Sequence, residues 1–289
     1  MTKKISRVGL TTVNYHLTEA CNFDCGYCFA KYGQCKETLT RNDAFLLIDR
    51  LAEAGCKKLT FVGGEPTLCK WLPDLIGFAK RKALTTMIVT NGTGLSDAFL
   101  AEVSGILDWI GLSVDSMYSL SLHTLGQISK KHIIDVDFYY SAVDRIKTSG
   151  FRLKVNTVVS SVNHGENLAQ FINYAMPERW KIFQVLPLTP QSKAFAISTT
   201  AFTSFQARHT PLIDQYVTAV FEDNNSMTGS YVMIDPIGRF YDNVEGKHSY
   251  SDPILKVGVD NALKQVSVND EKVLARGGIY DWQPIASPA

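Results

Sequence analysis

The chain has 289 residues, 45% of them hydrophobic and 20% charged, which is typical of a globular protein. Its formal net charge is only +1, so no overall charge draws it to nucleic acid or to a membrane surface. No apolar run reaches the roughly 20 residues that span a bilayer, and the basic N-terminus lacks the apolar stretch of a signal peptide. We therefore expect a cytoplasmic monomer that binds neither nucleic acid nor membrane.

Strand-like and helix-like segments alternate along the first two thirds of the chain. Strands are predicted at residues 8–17, 58–62, 87–90, 109–114, 153–160 and 181–186, and helices at 40–54, 72–83, 96–104, 138–148 and 166–175. This alternation predicts an α/β fold with a parallel sheet. Six such units fit a partial (β/α)6 TIM-like barrel better than a full eight-stranded one. The first strand is followed by no GxGxxG motif, which argues against a dinucleotide-binding Rossmann domain.

The alternation ends after residue 188. Residues 189–230 predict one or two helices, 231–242 a hairpin that turns near Gly238, and 259–265 a short helix. We therefore divide the chain into a barrel, residues 1–188, and a C-terminal extension, residues 189–289, that caps the active site.

Three of the six cysteines, Cys21, Cys25 and Cys28, lie within eight residues directly after the first predicted strand. In a reducing compartment, clustered cysteines are more often metal ligands than disulfides. Three thiolates hold a 4Fe–4S cluster while one iron stays open to another ligand. With His16 as a fourth ligand, the same thiolates form a zinc site, which is the alternative.

The other cysteines, Cys35, Cys56 and Cys69, are scattered and include no second Cys-x-x-Cys pair. A second cluster is therefore not expected. Each fits better as a small buried side chain or a spectator.

Candidate cofactor residues follow the later predicted strands, at the rim where parallel α/β folds place their active sites. Gly63 and Gly64 permit close approach of the backbone, and exposed amides next to Glu65 suit a zwitterionic amino acid. Asn91 and Ser113 are placed to bind the ribose or carboxylate of a cofactor. Taken singly, each of these residues is read equally well as part of a turn or a sheet end.

The spacing of the cysteines and the motif at residues 63–66 resemble the radical S-adenosylmethionine (SAM) superfamily. The resemblance implies that the methionine end of SAM chelates the open iron of the cluster and meets Gly63, Gly64 and Glu65. Electron transfer then yields a 5′-deoxyadenosyl radical, and a donor of the flavodoxin or ferredoxin type is implied. Tyr27, just before the third cysteine, is implied to contact adenine, with Phe29 also in the cofactor site.

Further motifs resemble the viperin family, above all its prokaryotic members. The similar segments cover most of the chain, at residues 13–16, 21–29, 63–66, 154–158, 179–184, 230–231, 257–259 and 276–282. The runs at 179–184 and 276–282 separate viperin from the rest of the superfamily. The resemblance implies dehydration of a nucleoside triphosphate, CTP first and UTP next, to its 3′-deoxy-3′,4′-didehydro form, a chain terminator in antiviral defence.

The resemblance also implies which residues meet the nucleotide. They are Asn14 near the base, with Lys154, Asn156, Arg179, Lys181, Arg276 and Gly277 around the rest of the substrate. Lys154 and Asn156 share one face of a predicted strand, and inward-facing lysines in a barrel require an anion. For the proton that the leaving hydroxyl needs, Tyr231 is the favoured donor and Lys58 its rival or relay partner. A tyrosine that merely packs the cap on the barrel is the alternative for Tyr231.

Two positions depart from the animal viperins. Val62 stands where they have a serine near the base, and the segment around Gln127 lacks their arginine, a charge that Lys130 or Lys131 could replace. These positions bear on base preference and on the grip on phosphate. Two other functions stay open: a different radical SAM reaction on a small molecule or peptide, and a zinc- or cluster-binding interaction protein without activity.

Overall fold

Ten strands form one sheet in the part of the chain that the computed structural model describes, residues 7–30, 37–129 and 132–282. They are β1 (Thr12–His16), β2 (Lys58–Val62), β3 (Thr85–Thr90), β4 (Trp109–Ser113), β5 (Arg152–Val159), β6 (Arg179–Gln184), β7 (Thr218–Glu222), β8 (Val232–Ile234), β9 (Arg239–Asp242) and β10 (Ser249–Pro253). Their order in space is β10-β9-β8-β1-β2-β3-β4-β5-β6-β7. Strands β1 to β7 and β8 run parallel to one another. Strand β9 pairs antiparallel with β8, and β10 pairs antiparallel with β9.

Helices connect these strands, and side-chain caps begin several of them. They are α1 (Arg7–Leu10), α2 (Arg41–Glu53), α3 (Leu72–Arg81), α4 (Asp97–Glu102), α5 (Ser119–Leu125), α6 (Val136–Thr148), α7 (Ala169–Ala175), α8 (Pro190–Lys193), α9 (Thr199–His209), α10 (Asn224–Met227), α11 (Ile254–Val257), α12 (Val259–Leu263) and α13 (Asp270–Ala275). Thr40, Ser96 and Asp135 accept hydrogen bonds from the first turns of α2, α4 and α6. Within the described ranges, no helix combines the length and apolar character that crossing a membrane requires.

The predicted α/β fold with six parallel strands is confirmed, since β1 to β6 pair in chain order. The prediction for residues 8–17 is wrong at its start, because Arg7–Leu10 forms α1 and the strand begins only at Thr12. A contact distant in sequence holds α1: the amide of Gly9 donates to Oδ1 of Asp270, at the start of α13, over 3.0 Å. The helix and strand propensities of residues 8–17 cannot predict a contact with a residue so distant in sequence.

The C-terminal third extends the sheet at both ends. Strand β7 adds to β6, and β8 pairs in parallel with β1. The predicted hairpin at 231–242 is present as β8 and β9, with Gly238 at a φ of +79° in its turn. Phe205, Phe240 and Ile254 belong to the same hydrophobic core as Val13 and Leu59, so both parts of the chain share one core.

Because the strands are parallel, their carboxyl ends meet at one end of the barrel and their amino ends at the other, and one side of the barrel lacks strand pairing. The cysteines follow the carboxyl end of β1, whereas Lys58, Trp109 and Arg179 are the first residues of β2, β4 and β6. Strand β7 lies at an edge, and the neighbours of β8 are β9 and β1. The barrel is therefore not closed by backbone hydrogen bonds between β7 and β8.

Candidate active site

The cysteine loop, residues 17–30, presents three thiols near one another. Cys21 is exposed, while Cys25 and Cys28 are half-buried. Although the Cys21 residue is exposed, partial loss of hydration around its sulfur raises the pKa of Cys21 to about 11. Burial together with the Cys28 thiol raises the pKa of Cys25 well above its usual value. A bound metal centre stabilises such thiols as thiolates, because its positive charge offsets the loss of hydration.

The donor set fits an iron–sulfur cluster. Among the described residues, no three His, Cys, Asp or Glu side chains are placed to hold a single metal ion. A 4Fe–4S cluster makes a different demand, since each thiolate binds a different iron. His16, the fourth ligand of the zinc alternative, is only 3% exposed, and its Nε2 lies 3.0 Å from the hydroxyl of Tyr241.

The turn at Gly63 and Gly64 packs directly on the start of the cysteine loop. A Cβ atom on Gly64 would lie 2.3 Å from the carbonyl oxygen of Ala20 and 2.5 Å from that of Glu19. Because both are backbone atoms, only glycine fits at position 64 without moving the chain. The glycine motif thereby fixes the backbone that leads into Cys21.

Glu65 connects this turn to the end of β3. Its carboxylate is 1% exposed and accepts hydrogen bonds from Thr67 (N 3.0 Å, Oγ1 2.6 Å), Thr90 (Oγ1 2.8 Å) and the amide of Asn91 (2.8 Å). The Asn91 side chain in turn donates to Oδ1 of Asn22 in the cysteine loop over 2.8 Å. The structure thus brings the predicted residues Glu65 and Asn91 together, with the Glu65 carboxylate engaged inside the chain.

Tyr27 lies in a buried polar network that sequence reasoning missed. Its hydroxyl donates to the Asp115 carboxylate, and Nε2 of Gln127 donates to both groups, over 2.8 and 2.5 Å. Burial raises the pKa of Asp115 to about 6. Gln127 therefore supports the cysteine loop and lies apart from the basic residues described below. The only sequence signal for Asp115 was its position directly after a strand.

The structure also shows where the remaining predicted residues lie. Phe29 is half-buried, with its ring edge-on to His16, and Ser113 pairs across the sheet with Asn156. Asn14 is half-buried on β1. Among the other cysteines Cys56 is buried and Cys69 half-buried, whereas Cys35, Lys130 and Lys131 lie outside the described residues.

Four cations form what we call the basic group: Lys154, Arg179, Lys181 and Arg276. Burial, followed by the charge of Arg179, lowers the pKa of Lys154 to about 7. No side chain in the described ranges makes a hydrogen bond or ion pair with the Lys154 amine. A half-buried amine among other cations is destabilised unless an anion joins it.

Sequence reasoning also missed Glu222, the last residue of β7, which is fully buried. Its Oε1 lies 2.6 Å from the Lys181 amine and 3.8 Å from Nη1 of Arg276, and its Oε2 accepts the hydroxyl of Tyr231. The Lys181 amine also donates to the Tyr231 hydroxyl over 2.7 Å. Lys181, Glu222 and the half-buried Tyr231 therefore form a triangle of contacts. The lysine beside the Tyr231 hydroxyl is Lys181, whereas the sequence suggested Lys58.

The C-terminal segment, residues 276–282, packs against the amino ends of the strands. Gly277 has a φ of +62° and accepts a 2.8 Å hydrogen bond from Arg179 through its carbonyl. Lys58 donates to the Tyr280 hydroxyl over 2.5 Å and lies within 5.6 Å of the ring centres of Trp109, Tyr280 and Trp282. Lys58 therefore holds this segment in place at the end of the barrel opposite the cysteines.

Comparison with known proteins agrees with this geometry. Residues 15–175 match the radical SAM superfamily. Two relatives are named S-adenosylmethionine-dependent nucleotide dehydratase: that of Lacinutrix mariniflava is 44% identical over 94% of this chain, and that of Flammeovirga pacifica 42% identical over 95%. The matches span 59% of the first relative's length and 97% of the second's. Streptococcus suis SuiB bound to S-adenosylmethionine has a similar fold (TM-score 0.67, 15% identity, 80% of this chain and 59% of that one).

The match over more than half of the chain places this protein in the radical SAM superfamily. Within it, the chain belongs to the family of S-adenosylmethionine-dependent nucleotide dehydratases, which is the viperin family. The prediction of a 4Fe–4S cluster and SAM as cofactors is thereby confirmed.

The contact at Gly64 makes a testable prediction. Gly64→Ala forces the turn away from the cysteine loop, at an expected cost of about 1–3 kcal/mol in unfolding free energy and with a lower iron content after anaerobic reconstitution. Gly165→Ala is the matched control, because nothing lies within 4 Å of its added carbon. Iron analysis and thermal unfolding measure both effects, and equal iron in the two variants would contradict the steric argument.

Proposed function

We propose that this chain dehydrates a ribonucleoside triphosphate, CTP first and UTP next, to its 3′-deoxy-3′,4′-didehydro analogue, which terminates RNA chains in antiviral defence. The observation that carries the proposal is the basic group, and within it the amine of Lys154. A triphosphate is an anion with enough charge to offset several buried cations. The order of CTP before UTP and the antiviral setting come from the resemblance to viperin.

When bound at Cys21, Cys25 and Cys28, the cluster with SAM would supply a 5′-deoxyadenosyl radical, and SAM would be consumed. One nucleoside triphosphate, one SAM, two electrons and one proton give the didehydro nucleotide, 5′-deoxyadenosine, methionine and water. In the nucleotide the C4′–H and C3′–O bonds break and a C3′=C4′ double bond forms. A one-electron donor of the flavodoxin or ferredoxin type supplies both electrons.

The chain's own residues bind the nucleotide and deliver the proton. Arg179, Arg276 and Lys154 hold phosphate oxygens, with the amide of Gly277 beside them. Oδ1 of Asn156 is buried and has no hydrogen-bond partner among the described residues, so it is available to a substrate donor. Asn14, half-buried on β1, is assigned to the base.

Tyr231 gives the proton to the leaving 3′-hydroxyl. Burial raises the pKa of Tyr231 well above its usual value, so the phenol keeps its proton until the C3′–O bond breaks. Lys181, 2.7 Å away, then returns a proton to the phenol oxygen. Lys58 contacts Tyr280 instead, and its proposed part is to hold the C-terminal segment around the phosphates.

A nucleotide screen tests the function as a whole. The reconstituted protein is expected to form 5′-deoxyadenosine with CTP or UTP, together with a nucleotide lighter by one water. Cys25→Ala should abolish both products because it removes a cluster ligand, whereas Cys69→Ala should keep them. Absence of both products with CTP, UTP, GTP and ATP would refute the proposal. A colourless protein with one stoichiometric zinc would favour the interaction scaffold.

Two substitutions separate the proton donor from its rival. Tyr231→Phe should lower product formation about a hundredfold or more while cluster content and uncoupled SAM cleavage persist. Lys58→Met should mainly raise the KM for the nucleotide, because the C-terminal segment loses the hydrogen bond between Lys58 and Tyr280. Steady-state assays of 5′-deoxyadenosine and product measure both. Full activity in Tyr231→Phe would show that this residue is not the acid.

The Lys154 amine predicts how pH controls substrate binding. Since its pKa is about 7, the amine is protonated below pH 7 and neutral above it, so nucleotide affinity should fall as the pH rises through 7. Binding at pH 8 should take up a proton, measurable by calorimetry in two buffers of different ionisation enthalpy. Lys154→Met should lose this uptake, and Lys57→Met, an exposed neighbour of β2, should retain it. Equal proton uptake in Lys154→Met and the unmodified chain would rule out Lys154 as the titrating group.

A further inference from the structure

Glu222 is a fully buried carboxylate in a site proposed to bind a triphosphate. A negative charge beside phosphates opposes their binding, and burying a carboxylate is itself unfavourable without compensating partners. Its presence therefore calls for a role other than contact with the substrate's phosphates. The geometry of its two oxygens indicates that role.

The two carboxylate oxygens have different partners. Oε1 faces Lys181 at 2.6 Å and Oε2 accepts the Tyr231 hydroxyl, while the Lys181 amine also donates to the same hydroxyl over 2.7 Å. The phenol oxygen is thus held by one donor and one acceptor, and the guanidinium of Arg276 lies 3.7 Å over the Tyr231 ring. These contacts hold the phenol ring and its oxygen in place, while the hydroxyl hydrogen can still rotate about the C–O bond.

The triangle also spans the open side of the barrel. Lys181 and Glu222 lie on β6 and β7 at one edge of the sheet, whereas Tyr231 directly precedes β8 on the other side of the opening. Since β7 and β8 share no backbone hydrogen bonds, the position of Tyr231 relative to Lys181 is set by the short connection at residues 223–230 and by side-chain contacts. Glu222 is the side chain that touches both.

Electrostatics gives Glu222 a second effect. Burial lowers the pKa of Lys181 well below its usual value, and Arg276 and Lys154 lower it further, whereas the Glu222 carboxylate raises it. Tyr231 completes the set of titratable groups around the amine. The carboxylate therefore favours the protonated form of Lys181, which is the form able to return a proton to the phenol.

We infer that Glu222 is the positioning residue of the proton-delivery step, holding the Tyr231 phenol in place and keeping its proton source, Lys181, charged. The inference rests on the proposed function. In the step, the phenol hydrogen turns from Oε2 of Glu222 to the departing 3′-oxygen, the phenol O–H bond breaks, and the proton leaves with the hydroxyl as water. An N–H bond of Lys181 then breaks to restore the phenol, and solvent reprotonates the amine after product leaves.

The test is Glu222→Gln, which keeps the shape of the side chain and removes its charge. The expected result is a fall in kcat of about tenfold to a hundredfold, a larger ratio of 5′-deoxyadenosine to product, and a KM for the nucleotide that is unchanged or lower. The alkaline limb of the kcat–pH profile should move to lower pH, because the Lys181 amine now loses its proton sooner. Glu222→Asp should recover part of the activity, and Glu53→Gln, an exposed carboxylate on α2, should match the unmodified chain.

An unchanged kcat with an unshifted alkaline limb would overturn the inference, as would a rise in KM alone. Titration of [13Cε]lysine-labelled chain by NMR provides a readout that needs no turnover, with Lys181→Arg identifying the resonance. The pKa of Lys181 should fall in Glu222→Gln, and an unchanged value would also overturn the inference. If the unmodified chain formed no product with any of the four nucleotides, the proposed function itself would be refuted. If Glu222→Gln does not fold, Glu222→Asp takes its place in the titration.

Discussion

Repulsion between positive charges removed from water is the constraint on which the basic end of this barrel depends. Like charges brought together out of water destabilise the fold unless each has a compensating partner. Arg179 has the Gly277 carbonyl, Lys181 and Arg276 have Glu222, and Lys58 has the Tyr280 hydroxyl and its surrounding rings. Lys154 makes no direct hydrogen bond or ion pair among the described residues, and only the more distant charge of Glu222 partly offsets its neighbours, so an anionic ligand would stabilise this amine further.

The opposite end of the barrel is governed by steric fit. The cysteine loop is held by close backbone contacts, at Gly64 on one side and at Gly126 on the other, where an added Cβ would lie 2.1 Å from the carbonyl oxygen of Asp24. Hydrogen bonds from Asn91 to Glu65 and to Asn22 hold the loop further on the Gly64 side. A backbone held this tightly suits a cluster whose ligands must keep fixed relative positions.

The sequence predicts this molecule best where a signal is local. The six central strands and the cysteine and glycine motifs are readable because alternating hydrophobicity and fixed spacing lie within a few residues of one another. Strand β7 and its terminal Glu222 are not readable, because a short strand with one acidic residue resembles any surface edge. Only pairing with β6 buries that carboxylate beside Lys181. The position of Asp115 directly after β4 marks it as a candidate site residue. Its role is not readable from the sequence, because that role depends on Tyr27 and Gln127, which are distant along the chain.

The packing of the C-terminal segment has a consequence for synthesis on the ribosome. The cysteine loop emerges early, whereas Trp282, whose carbonyl accepts the indole N–H of Trp109 over 3.1 Å, is made near the end of the described chain. At about 5–20 residues per second, the interval between them is on the order of ten to fifty seconds. During that time a nascent chain can expose its thiols while the proposed nucleotide site is unfinished. The order of the motifs along the chain therefore makes cluster insertion and substrate binding separable events in time.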